Sequence, residues 1–321
     1  MLRLLSKVLA LSIAVGSPAA TLAQTYPDKP IRMVIANAVG GGTDSSGRII
    51  AQQLAKSMGQ SVVVENYAGA GGVIGGNIAA KAAANGYNVF YDSASFAVNP
   101  AIRKLPYDPE KDFIPLSLSI SQPNILVVAM DSPYKTFADF LAAAKKQPGA
   151  LTFGSAGVGT GQHMTGELFK NVAQVDMLHV PYKGGAAVYN DLIAGRITCY
   201  WGNAGSGMPF IKGKRVRPLA VTSPERHPAL PDVPTMKELG YKDFEVLEWA
   251  GAYVPAGTPD AVVQRLSKEF QMAVHEPAVK ESLEKMGVFA LGTTQEDFKK
   301  FLAADFKRWK EVADKNNIKV D

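Results

Sequence analysis

A single cysteine, Cys199, stands in 321 residues, so no intrachain disulfide can form. No Cys/His group has the spacing of a zinc site. A disulfide scaffold and a structural zinc are both excluded. Charge of one sign is scarce as well: 34 Lys and Arg against 29 Asp and Glu leave +5, spread along the chain rather than gathered in a block. The concentrated basic face that binds nucleic acid is missing. No apolar run reaches the roughly 18 residues that cross a bilayer, so the chain is not itself membrane-spanning. The Gly-x-x-x-x-Gly-Lys-Ser/Thr phosphate loop does not occur. Gly157, Gly159 and Gly161 lack the last glycine of the dinucleotide fingerprint, and residues 69–76 miss it too. No cofactor is expected.

What is present is ordinary globular composition, 47% hydrophobic and 20% charged, with length for two modest domains. Arg3 and Lys7 lead into an apolar run over 8–15, followed by Gly16, Pro18 and a small-residue stretch ending Thr21-Leu22-Ala23. This predicts a signal peptide over 1–23, cleaved near Ala23, and an exported mature chain of charge +3. Cys199 lies in the apolar run 197–201 and reads as a buried structural thiol.

The chain repeats its own plan. Residues 31–36 read as a strand, 39–44 as a glycine turn, and Ile49, Ile50, Leu54 and Met58 fall at helical spacing. Residues 151–153, the glycine-rich stretch 154–161, and Met164, Leu168 and Phe169 repeat that unit. Strands 62–64 and 177–180 both leave through Tyr-x-Gly, at Tyr67 and Tyr182. Third strands match at 89–95 and 197–206, and fourth strands at 113–117 and 216–220. The separations shrink steadily, 119 residues from Gly42 to Gly161, 115 from Tyr67 to Tyr182, and 103 from Pro115 to Pro218. A repeated α/β lobe with shortened connections has this signature. The expected fold is α/β with two lobes, each a mainly parallel sheet flanked by helices. The remainder, from Trp249 on, holds amphipathic helices and no third copy. The chain is therefore expected to leave the first lobe, build the second and return, making a two-strand hinge. Residues 24–124 plus 247–321 form lobe 1 and residues 125–246 form lobe 2.

Both glycine loops fall where open parallel sheets bind ligands, beyond the carboxyl ends of strands. Unpaired N–H groups and about half a positive charge at a helix start attract a carboxylate or phosphate, and glycine lets the anion approach. Catalysis is less well supported. Gly154-Ser155-Ala156-Gly157 is not the nucleophile elbow, and Ser155 with His163 is the one base and nucleophile pair the spacing suggests. His179 reads as a core or hinge histidine. Asp44 and Arg48, four apart, read as a local ion pair, which leaves no acid to meet an ammonium group. Lys212, Lys214, Arg215 and Arg217 crowd four positive charges into six residues at a turn, a candidate docking point.

Taken together, Gly41-Gly42-Thr43-Asp44, Val64-Glu65-Asn66, Gly69-Ala70-Gly71-Gly72, Asn99-Pro100, Tyr107-Asp108-Pro109, Gly154 to Thr160, His179-Val180-Pro181-Tyr182-Lys183-Gly184, Pro231-Asp232-Val233-Pro234-Thr235 and Pro255-Ala256-Gly257-Thr258-Pro259 resemble the periplasmic solute-binding proteins of tripartite tricarboxylate transporters, the Bug family. The resemblance runs from about Tyr26 to the C-terminus. It implies a periplasmic binding protein fold of two lobes that close on a small di-, tri- or aromatic carboxylate and deliver it to membrane transporter subunits, with no enzymatic activity. A monomer is expected. Carried over position by position, it places the ligand against Val39, Gly40, Gly41, Gly42, Thr43, Asp44, Ser93, Ala94, Ser95, Phe96, Ala156, Gly157, Gly159, Thr160, Gly161, Gln162, His163, Asn203 and Trp249. Tyr200 and Lys183 are further candidates. An exported sensing subunit, or a hydrolase using Ser155 and His163, are the alternatives.

Overall fold

A computed structural model describes residues 26–315 and 318–320; the signal peptide expected over 1–23 lies outside them. The first run of elements is β1 (Ile31–Ile35), α1 (Gly42–Met58), β2 (Val62–Asn66), a 3-10 turn (Ala70–Gly72) leading into α2 (Val73–Ala80), β3 (Asn88–Ser93), α3 (Ser95–Ile102) and β4 (Phe113–Ala129). After α4 (Phe137–Lys146) the plan restarts with β5 (Thr152–Ser155), α5 (Gly161–Ala173), β6 (Leu178–Pro181), α6 (Gly185–Ile193), β7 (Cys199–Asn203), α7 (Ala204–Lys212) and β8 (Val216–Val221). The chain ends with β9 (Leu247–Pro255), α8 (Asp260–His275), α9 (Pro277–Lys285), β10 (Phe289–Ala290) and α10 (Gln295–Lys315).

The repeat read from spacing is a repeat of topology. In one half of the sheet β1 pairs in parallel with β2 and β3; in the other β5 pairs in parallel with β6 and β7. Two crossing segments change the expected mainly parallel character. Residues 113–123 of β4 run antiparallel to β9, which also pairs antiparallel with β3. Residues 124–129 of the same strand run antiparallel to β7 and β8. Each half therefore carries a strand that arrives from the other direction, and the sheet is mixed.

Local sequence explains the elements. β1 is apolar apart from Arg32 because it is covered on both faces by helices. On α1, Ile50, Ala51, Leu54 and Met58 make one buried stripe, and Gly59 ends the helix in the left-handed conformation at φ 67°. α4 starts with a capping box between Thr136 and Asp139. The C-terminal helices return to the first half: β10 pairs with β4 at Ser121, and Ser267 on α8 donates to the Leu116 carbonyl. Cys199 is fully buried, and burial pushes its thiol pKa far above its ordinary value, so it is no nucleophile.

Candidate functional site

The two glycine loops face one cavity of about 640 Å³, at the carboxyl ends of the parallel strands of both halves. Gly42 opens α1 and Gly161 opens α5, the pair matched at a separation of 119 residues. α1 has Gly41 as its N-cap and no side chain capping its first N–H groups. α6 likewise starts at Gly184 without a side-chain cap. On α5, Thr160 takes the N–H of His163, and on α7, Asn203 takes that of Ser206. The cavity is thus ringed by helix starts from both halves, and the summed field favours an anion.

Of the residues named from sequence, Gly41, Gly42, Thr43, Ser93, Ala156, Gly157, Thr160, Gln162 and Asn203 form the wall, as do Tyr200 and Lys183. Others stand elsewhere. Val39 points into solvent, 68% exposed. Gly40, at φ 77°, makes the tight turn whose N–H donates to Asp44 Oδ2. The Asp44 carboxylate turns away from the cavity, accepting from Arg48 Nε at 2.9 Å and Asn66 Nδ2 at 2.8 Å. Ala94 and Ser95 lie behind Ser93, with Ser95 Oγ donating to Asp92. Gly159, Gly161 and His163 back the second loop rather than face the cavity, with Gly159 N–H donating to His163 Nδ1. Phe96 packs in an aromatic core, its ring centroid 4.4 Å from that of Tyr253. Trp249 donates to Asp305 at 2.9 Å and meets Phe298 edge-on. Neither of these two aromatic side chains lines the cavity.

Sequence reading did not place several wall residues. Residues 68–72, between β2 and α2, and Ile74 in the first turn of α2 supply a broad part of it, and Tyr182, Gly184 and Gly185 form the matching side in the other half. The two Tyr-x-Gly strand exits were the signal, since loops after parallel strands open on that edge. Glu248 was also passed over. It is 3% exposed, lines the cavity, and has Oε1 without a hydrogen-bond partner. Burial, with Asp305 and Asp92 adding like charge, pushes its carboxyl up to about 8. The Asn124 amide and the adjacent start of α5 oppose this, the helix start by up to about 2 kcal/mol at a buried place, and burial remains the largest cause.

The halves also touch across the cavity mouth. Arg103, at the end of α3, donates to the carbonyl of Ala70 at 3.3 Å and to that of Val158, in the other half, at 3.0 Å. A Cβ on Gly71 would sit 2.5 Å from the Val158 carbonyl oxygen, and one on Gly184 2.8 Å from Ala38 Cβ.

The Ser155 and His163 pair does not form. Ser155 Oγ lies 2.6 Å from Nε2 of His179, is fully buried, and is absent from the cavity wall. His163 and His179 stack with ring centroids 4.1 Å apart. Burial lowers them to about 4 and about 3, so both are neutral rings that brace the second loop.

A two-half α/β molecule with helix starts converging on an anion-sized cavity is a solute-binding protein by architecture. Residues 47–318 match the model of the tripartite tricarboxylate transporter family receptor, TctC, and the chain belongs to that family, whose members are solute-binding proteins and not enzymes. A protein encoded in the tcbD-tcbE intergenic region of Pseudomonas sp. strain P51 is 38% identical over 95% of this chain and 91% of its own length. The structure of periplasmic binding protein BugD superposes with a TM-score of 0.88 at 33% identity, covering 92% of this chain and 99% of BugD. R. palustris Rpa4515, solved with adipate, gives 0.88 at 31% identity, over 92% of this chain and 99% of its own.

Proposed function

We propose that this protein captures a small organic carboxylate between two lobes in the periplasm and delivers it, as a monomer without a cofactor, to tripartite tricarboxylate-type membrane subunits. The observation that carries the reading is the convergence of the α1 and α5 starts, from different halves of the sheet, on one cavity. The adipate held by Rpa4515 supports the ligand class. The lobes are residues 24–124 with 247–321, and 125–246, and the two segments that cross between them, in β4 and at 246–247, are the hinge. The anion is gripped by residues 41–43 and by Ala156, Gly157, Thr160 and Gln162, with Ser93 and Asn203 beside them. Asp44 is already satisfied by Arg48 and Asn66, so the first loop offers no charge to an amino group. Tyr200 supplies the aromatic wall that an aromatic carboxylate would need. Export follows from the leader over 1–23.

Docking on the transporter would use Lys214 and Arg215, because the other two members of that basic cluster are already tied down. Lys212 donates to the Lys285 carbonyl, and Arg217 to those of Tyr134 and Met130.

Calorimetry with adipate, succinate and benzoate, together with native mass spectrometry for a retained organic acid, tests the reading. Binding of at least one without turnover is the expected result. Absence of any carboxylate binding, or consumption of the ligand, overturns it.

A further inference from the structure

Glu248 is a buried acid set into a cavity built for anions, and that combination is self-defeating if the acid is charged. Its surroundings leave it no cation. Gln122 is its partner across the β4–β9 ladder, and Asn124, two residues further along β4, hydrogen-bonds the Glu248 carboxyl. The start of α5 is so close that a Cβ on Gly161 would lie 1.8 Å from Oε1. Tyr200 on β7, also buried, is near enough to feel the Glu248 charge. The charged groups that act on it are two more acids, Asp92 on β3 and Asp305 on α10, the latter held by the indole N–H groups of Trp249 and Trp309. Oε1 itself has no partner, and it borders the cavity.

We propose that Glu248 keeps its proton in the empty cleft and donates it in a hydrogen bond to the ligand carboxylate gripped at the start of α5, so that capture of the anion is coupled to that proton. The inference rests on the carboxylate-binding reading and sharpens it. An acid and a carboxylate sharing one proton form a short charge-assisted hydrogen bond, while two ionised carboxylates at the same place repel. The site therefore selects carboxylates and disfavours ligands whose ammonium group would want an ionised Glu248. No bond is made or broken apart from the sharing of that proton, which returns to Glu248 on release.

The sign of the pH dependence follows. Binding needs the proton, so affinity is flat below the pKa of the free carboxyl and falls tenfold per pH unit above it, from about pH 8. Adipate is a dianion throughout pH 6.5–9.5, so its own titration does not enter. We expect wild-type affinity for adipate, read by calorimetry, to fall at least tenfold between pH 7.5 and 9.5. Glu248→Gln keeps a donor at the same place and should bind adipate with no slope over that range. The ligand-free protein gives a second measurement: an infrared carboxylic-acid carbonyl band at pH 7 that Glu248→Gln removes. A flat wild-type profile, an infrared spectrum without that band, or tight aspartate binding that Glu248→Gln abolishes, would each overturn the proposal. If adipate and the other acids bind neither protein, the carboxylate-receptor reading fails and takes the ligand half of the proposal with it; a missing infrared band defeats the proton alone.

Discussion

Gly42 and Gly161 show how much a single hydrogen atom can matter at this site. Neither has positive φ, so both positions are open to any residue as far as backbone angles go. What a side chain would meet is another matter: a Cβ at Gly42 lies 2.7 Å from Asn203 Oδ1, and one at Gly161 lies 1.8 Å from Glu248 Oε1. Gly161→Ala should fold well, since alanine is the better helix residue by roughly 0.5–1 kcal/mol, yet it must push Glu248 from its place. Loss of one charge-assisted hydrogen bond, roughly 1.5–3 kcal/mol, predicts adipate binding about ten- to a hundredfold weaker by calorimetry with an unchanged circular dichroism spectrum. Wild-type affinity in a folded Gly161→Ala protein would place the ligand away from α5. The residue scale is also where the sequence was least legible. β9 is buried on both faces, so nothing in its composition tells which side chains face the cavity; alternation sends Glu248 there and its neighbour Trp249 into the core beside Phe298 and Phe301. On β7 the same rule gives Tyr200 to the cavity and Trp201 to Phe169.

The elements were legible because their signals are periodic and repeated. Two glycine turns, each followed by a helical stripe, mark α1 and α5, and two Tyr-x-Gly exits mark β2 and β6. The antiparallel pairings were not legible, because a strand's partner is chosen by chain path: β4 is one strand of 17 residues although it changes partners between Pro123 and Asn124. The two helix starts also differ in a way that bears on function. Thr160 caps α5, whereas Gly41 leaves α1 uncapped. An aspartate at the cap position is better than glycine by a few tenths of a kcal/mol, and φ at Gly41 is −71°, which any residue can adopt. Its Cβ would lie 3.2 Å from the Ala38 carbonyl, a contact that requires a shift of a few tenths of an ångström. Gly41→Asp should therefore hold or raise the melting temperature while its carboxylate occupies the N–H groups meant for the ligand. The expected result is at least a tenfold loss of adipate affinity without loss of thermal stability. A variant that binds normally would show that the α1 start does not hold the anion.

At the scale of the whole molecule the question is what holds the two halves against each other before a ligand does. The described structure has them in contact: Lys212 reaches the Lys285 carbonyl and Arg308 that of Glu245, and at the cavity mouth Arg103 reaches from the end of α3 to the Val158 carbonyl in the second glycine loop. Its other nitrogen stays home on Ala70, so the guanidinium ties the turn before α2 to the loop before α5. On the proposed reading a ligand bound between the halves stabilises the same closed arrangement, so its apparent affinity is set by how much of the protein is already closed. A charged hydrogen bond is worth roughly 1.5–3 kcal/mol when buried; this one is half-exposed, and screening brings it to about 1.4 kcal/mol, a factor of ten. Arg103→Ala should then bind adipate about tenfold more weakly, with the change in the dissociation rate, because association precedes closure. X-ray scattering should show a larger ligand-free radius of gyration than wild type and the same compact value once adipate is saturating. That pattern separates a latch from a ligand contact, since a lost contact would weaken binding without opening the empty protein. Equal radii in the empty proteins together with equal affinities would mean that the other contacts between the halves, among them Lys212 on the Lys285 carbonyl and His227 on that of Gly287, hold them without Arg103.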